Sequence, residues 1–177
     1  MMSETEEQET SVEAAPELPV VPLDSLSDDQ RIAFTLVQEF CEASGLGAHA
    51  VVRTVQKPYI NIEILGGDVR ATLGKMGQGL DALQFLLNTV VMRRATSDVR
   101  LLLDAEGYRE RRAEALRTRA RELASEVKLR KEEAELEPLP AHERRIIHAA
   151  LADDPDISTY SEGDEPGRRV VIAPRIA

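Results

Sequence analysis

The sequence predicts an α+β fold built from two successive units that are joined by a long helix. Three observations support this prediction. The first half of the chain alternates helix-type and strand-type hydrophobic periods in the order α-β-β-α-α-β. A charged segment from Tyr108 to about Leu136 has the pattern of one continuous helix, and the residues after it follow the order α-β-β. Residues 137–177 are too few for an unsupported core, so we expect the long helix to pack against them.

Before the first helix, residues 1–26 are predicted to form a disordered acidic tail. Nine acidic and no basic residues lie between Met1 and Asp29, whereas the rest of the chain holds 22 basic and 23 acidic residues. Such a segment cannot bury enough apolar surface to offset the entropy lost on ordering. Two roles remain open for it: an inert solubilising tail, or a tethered polyanion that competes for a basic surface.

The first unit, residues 27–105, begins with a capping box of Ser27 and Gln30 and a helix over 28–44 that Gly45 ends. Strands follow over 50–55 and 59–64, then a short helix over 68–73, a long helix over 78–94 and a strand over 97–104. The second strand alternates with period two and directs isoleucines inward and polar side chains outward: Ile60, Ile62 and Ile64, against Tyr59, Asn61 and Glu63. The long helix carries a wide apolar stripe of Leu80, Leu83, Phe85, Leu86, Leu87, Val90 and Val91.

The second unit, residues 107–177, contains the charged helix, whose narrow apolar stripe should face the core. Pro138 and Pro140 end this helix, and a further helix is predicted over 141–152. Strands over 157–161 and 168–173 flank a turn-rich segment. The stripe consists of Ala113, Leu116, Ala120, Leu123 and Val127.

Composition and spacing argue against several classes of protein. A single cysteine excludes an internal disulfide framework and a cysteine-rich zinc site. No apolar run approaches the roughly 20 residues that span a bilayer, so we expect a cytoplasmic protein without membrane insertion. His142 and His148 are six residues apart, which does not fit a zinc hydrolase helix with histidines at i and i+4. We therefore expect neither an enzyme nor a bound metal or cofactor.

Gly74-Lys75-Met76-Gly77, between the short and the long helix, is the first candidate binding motif. Two glycines three residues apart allow close approach of another backbone, because neither has a Cβ atom. The free N–H groups at the start of the following helix favour a phosphate, and Lys75 adds positive charge. Most G-x-x-G segments are plain turns. Placed between two helices of an α-β-β-α-α-β unit, the motif resembles the loop with which KH domains clamp nucleic-acid backbone.

The segment from Leu73 to Asn88 resembles the KH segment of the bacterial Jag family. Residues 104–112 resemble the family's junction, and residues 137–139, 143–148 and 159–163 resemble its C-terminal R-3-H domain, named for an arginine and a histidine separated by three residues. The similarity covers about residues 30–175 in the same order and spacing. It implies a KH-like unit, a long connecting helix and a small α-β-β R-3-H unit that bind single-stranded RNA.

The resemblance also implies which residues contact RNA. They are Gly74, Lys75, Met76, Gly77 and Gln78 in the KH loop, and Arg144 and His148 in the R-3-H unit. From their positions in the sequence, Arg145 lies three residues before His148 and could share its role, and Arg168 and Arg169 on the last strand are predicted to form a nearby basic patch that also contacts RNA. Two positions depart from the family. Met76 stands where a second basic residue is usual. Gly79 replaces a better helix former, and we expect it to loosen the first turn after the loop.

Arg144 and His148 can be interpreted in two ways. Four residues apart on a helix, they project from one face and could contact a phosphate together. Alternatively, both are structural: His148 bonds a strand and Arg144 pairs with a carboxylate. Both interpretations remain open at this stage.

The sequence thus predicts a non-enzymatic RNA-binding protein, a post-transcriptional or cell-envelope-related regulator. A second small KH protein or a homodimer is a candidate partner. The alternative is a protein-interaction adaptor, in which the KH surface binds protein because the near-neutral folded part supports little affinity for RNA.

Overall fold

The computed structural model of the protein describes residues 19–175, which divide into two compact units between Glu106 and Gly107. The α+β class agrees with the prediction, and so does the order of elements except for one short strand after the long helix. The first unit contains α1 (Asp28–Ala43), β1 (His49–Gln56), β2 (Tyr59–Leu65), α2 (Arg70–Leu73), α3 (Gln78–Arg94) and β3 (Arg100–Ala105). The second contains α4 (Tyr108–Arg130), β4 (Ala134–Glu135), α5 (Ala141–Ala150), β5 (Ile157–Glu162) and β6 (Arg169–Pro174).

The sheet of the first unit has the strand order β1-β2-β3, with β1 antiparallel and β3 parallel to β2. The α1 and α3 helices pack against it. The capping box at the start of α1 is confirmed, since Ser27 N–H donates to Gln30 Oε1 at 3.0 Å and Gln30 N–H donates to Ser27 Oγ at 3.4 Å. The core includes the three inward isoleucines of β2, as predicted, together with Val37, Leu80, Leu101 and Leu103.

Order begins earlier than predicted. Residues 1–18 of the predicted tail lie outside the described residues, but residues 19–26 are part of the fold. Val21 N–H donates to Val52 O of β1 at 2.8 Å, Leu23–Ser25 form a 3-10 turn, and Leu26 is buried. A strand hydrogen bond and the burial of one leucine thus hold a segment that composition alone assigns to the tail.

Two predictions about which side chains face solvent were wrong. Glu63 of β2 is buried because Arg53 of β1 lies beside it, with Nε 2.5 Å from Glu63 Oε2. Phe85 and Leu86 of α3 were placed on the apolar stripe, but they are 71% and 61% exposed. The buried side of α3 is the narrower line that runs from Leu80 to Val91.

In the second unit, β6 lies between β4 and β5 in an antiparallel sheet. The predicted stripe of α4 is confirmed: its five members are buried, and four of them join the core with α5 and β6. The predicted end of this helix was wrong. The α4 helix stops at Arg130, Lys131 is left-handed (φ 57°), and β4 follows where helix had been predicted. Leu136 N–H donates to Val170 O at 3.0 Å, so strand pairing replaces the last helical turn.

Over residues 19–175, no helix is both long and apolar enough to span a membrane.

Candidate nucleic-acid interface

The loop between α2 and α3 is held in an unusual backbone conformation. Gly74 (φ 62°, ψ −169°), Met76 (φ 53°, ψ 33°) and Gly77 (φ 79°, ψ 3°) all have positive φ. Lys75 and Gln78 are exposed, whereas Gly77 is buried. Among the described residues, no side chain caps the start of α3, and the first N–H of this helix, that of Gln78, donates to Lys75 O. The sequence-predicted loop residues therefore lie together at the positive end of a 17-residue helix.

Gly79 tightens this loop rather than loosening it. A Cβ atom on Gly79 would lie 2.6 Å from Thr72 O and 3.1 Å from Gly74 N. A Cβ atom on Gly74 would in turn lie 2.9 Å from Gly79 N. The expectation that Gly79 weakens the first turn considered helix propensity alone. It was wrong, because the missing Cβ allows α3 to approach α2 closely.

One turn beyond the loop, a groove of about 380 Å³ runs between α3 and β3. Its exposed side chains are mostly apolar: Phe85 is 71%, Met92 56%, Tyr59 48% and Leu102 41% exposed. Asp81 and Arg100 also line it, and Arg100 Nε lies 2.7 Å from Asp98 Oδ1. This groove was not predicted as a candidate site, because Phe85 was expected on the apolar stripe that faces the core. The signal that could have identified it is the spacing of Phe85 and Met92, which places both on one helix face.

Arg144 and His148 are both engaged within the second unit. Arg144 is 8% exposed, its Nε donates to Leu139 O at 3.1 Å, and its Nη2 donates to the Glu165 carboxylate. His148 Nδ1 lies 2.7 Å from Thr159 Oγ1, and its Nε2 lies 3.0 Å from Ser161 Oγ. These contacts fasten α5 to β5 and to the turn after it.

The protonation of His148 follows from these surroundings. Partial burial lowers the pKa of its imidazole, and the positive charge of Arg144 lowers it further. The neutral ring suits the two hydroxyl partners, since one ring nitrogen can donate and the other can accept. The described contacts therefore match the structural interpretation, and a phosphate would have to displace Glu165 to reach Arg144.

The other predicted arginines of this unit do not form one patch. Arg145 is exposed on α5. Arg168 Nη2 donates to Ser161 O at 3.4 Å, which places it beside His148 through their shared neighbour. Arg169 Nη1 instead bonds Glu135 of β4 at 2.8 Å, and because Val170 pairs with Ser161, Arg169 points to the opposite face of the sheet from Ser161. The structure thus brings Arg168 close to the R-3-H pair and separates Arg169 from it.

Several basic residues of α4 form ion pairs with nearby carboxylates. Arg117 bonds Glu110 and Glu114, and Lys128 Nζ lies 2.7 Å from Asp154 Oδ2. Arg112 pairs with Glu143 of α5. These pairs reduce the positive charge that the helix would offer to a polyanion.

Comparison with known proteins identifies part of this architecture. The R-3-H domain family matches residues 114–174. The chain is 46% identical over 114 residues to RNA-binding protein KhpB of Clostridium symbiosum, a match that covers 64% of this chain and 51% of that protein. It is 41% identical over 103 residues to RNA-binding protein KhpB of Lactiplantibacillus plantarum, covering 58% and 32% respectively. With RNA-binding protein KhpB of Bacillus subtilis it is 37% identical over 124 residues, covering 68% and 60%.

These findings confirm the predicted resemblance to the Jag family, to which the KhpB proteins belong, and the predicted R-3-H domain. The matches span roughly a third to three fifths of the relatives' own length.

Proposed function

We propose that this Jag-like chain with its R-3-H domain is a non-enzymatic protein that binds single-stranded RNA through the KH loop and the R-3-H surface. The observation that carries the proposal is the loop from Gly74 to Gly77, which is exposed at Lys75 and lies at the uncapped start of α3. The relatives named as RNA-binding proteins support the same conclusion.

The KH unit offers separate places for backbone and bases. The positive end of α3 and the exposed Lys75 favour a phosphate at the loop. The groove that starts one turn further along α3 offers apolar and aromatic surface at Phe85 and Tyr59. Aromatic side chains of this kind stack on unpaired bases, and each stack contributes about 1–3 kcal/mol. From Gln78 to Met92 the helix rises about 21 Å, a length suited to a few nucleotides.

In the R-3-H unit we assign direct contact to Arg145 and Arg168, and a positioning role to Arg144 and His148. Arg145 is exposed, and Arg168 is half-buried beside the Ser161 carbonyl. The outer face of the sheet is a poor site for phosphate, because Glu133 accepts a hydrogen bond from Tyr160 and Glu135 pairs with Arg169 there. RNA would therefore approach from the α5 side.

Regulation is the role most consistent with binding of this type. We propose a post-transcriptional or envelope-related regulator in the cytoplasm, with a second KH chain or a second copy of this chain as partner. Neither unit as described contains a group of three or more metal-ligating side chains.

The test of the proposed function is the double variant Lys75→Asp with Met76→Asp. Aspartates at the loop should repel phosphate and abolish most RNA binding, and they should leave the fold intact, because Lys75 is exposed and Met76 is only partly buried. Each phosphate contact that is lost should flatten the log–log salt dependence by about 0.7 for a single strand. Thr35→Asp with Arg94→Asp is the matched control, because it makes the same total charge change at the opposite end of α3, about 25 Å away. If the loop variant binds RNA as the parent does at every salt concentration, the KH loop is not the site.

The alternative, an adaptor that binds protein through the KH surface, rests on the exposed Leu86, which lies outside the groove lining, and on the near-balance of charge after residue 29. Crosslinking in cells separates the two functions. Recovery of RNA supports the proposed function, and recovery of protein alone supports the adaptor.

A further inference from the structure

Strand β3 is at the edge of the first sheet, and its outward N–H groups are already bonded to side chains. Arg100 N–H donates to Pro58 O and Glu106 N–H donates to Ile64 O, so the amides of even-numbered residues point toward β2. The amides of Leu101, Leu103 and Ala105 therefore point away from the sheet. Each of the three donates to a side-chain oxygen at 2.8 Å.

Asn88 makes the most complete of these contacts. Its Oδ1 accepts from Leu101 N–H at 2.8 Å, and its Nδ2 donates to Leu101 O at 2.7 Å. One side-chain amide thus fills both the donor and the acceptor that this residue presents at the sheet edge. One turn earlier on α3, Gln84 Oε1 accepts from Leu103 N–H.

The match between helix and strand follows from their geometry. Four residues of helix rise about 6 Å, and two residues of strand rise about 6.6 Å. Amides at positions 84 and 88 therefore meet alternate residues of β3 in register. Asp104 completes the row, because its Oδ1 accepts from Ala105 N–H.

These contacts lie on the wall of the groove where we place the bases. Gln84, Asn88, Leu101 and Phe85 all line it. An unpaired base presents a donor beside an acceptor on its hydrogen-bonding edge, as adenine does with N6 and N7. A free strand edge could pair with such a base. In this protein the side-chain amide of Asn88 occupies that position.

We propose that Asn88 and Gln84 determine the specificity of the KH unit, because they hold the β3 edge and so prevent it from reading bases. Bases in the groove then contact Phe85, Tyr59 and Met92 through stacking and apolar surface, which every base can provide. The unit consequently binds single-stranded RNA with little discrimination among bases. This inference rests on the proposed function and adds the sequence tolerance of the same site.

The experiment compares the full chain with Asn88→Ala, using fluorescence anisotropy and oligonucleotides of eight adenosines, eight cytidines or eight uridines. For the parent we expect dissociation constants within about threefold of one another. The variant exposes Leu101 N–H and O, and a bidentate base contact there should widen the spread to tenfold or more. Amide hydrogen exchange checks the edge itself: exchange at Leu101 should accelerate, and exchange at Leu103 should not.

Two further variants keep the test decisive. Gln38→Ala is the matched control, because Gln38 Oε1 accepts from Ala50 N–H at the opposite edge of the same sheet. It should leave the spread among oligonucleotides unchanged. Asn88→Asp serves if the alanine variant fails to fold. It keeps an acceptor for Leu101 N–H but loses the donor, and its charge weakens binding to all three oligonucleotides alike, so their ratio still reports discrimination.

The outcomes separate the inference from the proposed function. If the parent binds none of the oligonucleotides, the proposed function fails, and the inference fails with it even where exchange shows a closed edge. If the parent binds and already discriminates tenfold, the inference is wrong. It is also wrong if amide exchange shows that the β3 edge has opened in Asn88→Ala while the dissociation constants for the three oligonucleotides stay close to one another. A widened spread of dissociation constants in Asn88→Ala, with Gln38→Ala unchanged, supports it. Asn88→Asp, which frees only Leu101 O, should widen the spread less and takes the place of the alanine variant if that variant does not fold.

Discussion

Arg112 of α4 and Glu143 of α5 form a two-point ion pair, with Nε 2.8 Å from Oε1 and Nη2 3.0 Å from Oε2. The Glu143 side chain is almost fully buried, and that of Arg112 is about three quarters buried. The hydrogen bonds to Glu143 raise the pKa of the guanidinium. A pair in this geometry fixes the angle at which α5 meets α4, and so positions the helix that carries the R-3-H residues.

Removing one partner of this pair should destabilise the second unit strongly. Arg112→Ala leaves the Glu143 carboxylate buried without its partner, and we expect a loss of about 3–5 kcal/mol in the free energy of unfolding. Urea unfolding followed by tyrosine fluorescence measures it, because two of the three tyrosines, Tyr108 and Tyr160, lie in this unit. The double variant Arg112→Met with Glu143→Leu should recover much of the loss. Equal losses in the single and double variants would contradict this account.

Gly79→Ala should destabilise the first unit, although alanine is the better helix former by about 1 kcal/mol. The added Cβ would lie 2.6 Å from Thr72 O, and overpacking of this kind costs about 1–3 kcal/mol. Because α3 must shift, the loop should also lose RNA affinity. Thermal unfolding and RNA titration of the same sample check both effects. A stabilised variant would show that helix propensity outweighs the close approach.

Glu165→Gln should remove the ion pair between residue 165 and Arg144 but keep the hydrogen bond from Arg144 Nε to Leu139 O. If RNA reaches Arg144, the variant should bind RNA more tightly than the parent, because the competing carboxylate has lost its charge. If Arg144 is purely structural, RNA affinity stays within twofold, and the free energy of unfolding falls by no more than about 1 kcal/mol, because the Glu165 side chain is 58% exposed and the glutamine carbonyl still accepts a hydrogen bond. Anisotropy titration and urea unfolding distinguish these results, with Asp164→Asn on the same turn as the control.

His148 should make the second unit less stable in mild acid. Its pKa in the folded protein lies below the unfolded value of 6.5, so the unfolded chain binds the proton more readily. The stabilisation is complete above about pH 6.5 and decreases as pH falls below it. His148→Gln should be less stable at pH 8 and should lose this pH dependence. Urea unfolding between pH 5 and pH 8 measures both. RNA affinity that rises with protonation of His148 would instead support direct contact.

Asp29 should support the first unit until strongly acidic pH. Thr96 and Ser97 each donate to its carboxylate from the backbone and from the hydroxyl, with the shortest distance 2.5 Å. These hydrogen bonds lower the pKa of Asp29 to about 2. Its stabilisation is therefore complete above about pH 4 and is lost as pH falls toward 2. Asp29→Asn should have a lower free energy of unfolding at pH 7, and this free energy should fall less steeply between pH 4 and pH 2. Urea unfolding from pH 2 to pH 7 measures both effects.

Sequence patterns that involve residues close together in the chain predicted the start of α1 and the inward face of β2. The capping box at Ser27 set the start of α1, and the period of two in β2 identified the isoleucine core. The end of α4 could not be predicted, because it depends on pairing between β4 and β6, more than 30 residues apart. The burial of Glu63 likewise depends on Arg53 of a neighbouring strand.

The candidate site was only partly predictable for the same reason. The spacing of Gly74 and Gly77 identified the loop, since positive φ favours glycine locally. The role of Gly79 depends on its distance from Thr72 O, which no local pattern reports. Helical periodicity gave Phe85 the same weight as Leu80, but only the packed structure shows that one is exposed and the other buried.

The side-chain amides that occupy the two edges of the first sheet also affect the tendency of the protein to aggregate at high concentration. An open strand edge is a template on which further chains can add, and repeated addition leads to aggregates with cross-β order. Here Gln38 occupies a backbone amide at one edge, and Asn88 fills both groups of Leu101 at the other. We expect the first unit to resist fibril formation when concentrated, and Asn88→Ala to shorten the lag time of thioflavin-monitored aggregation more than surface substitutions that leave both edges covered.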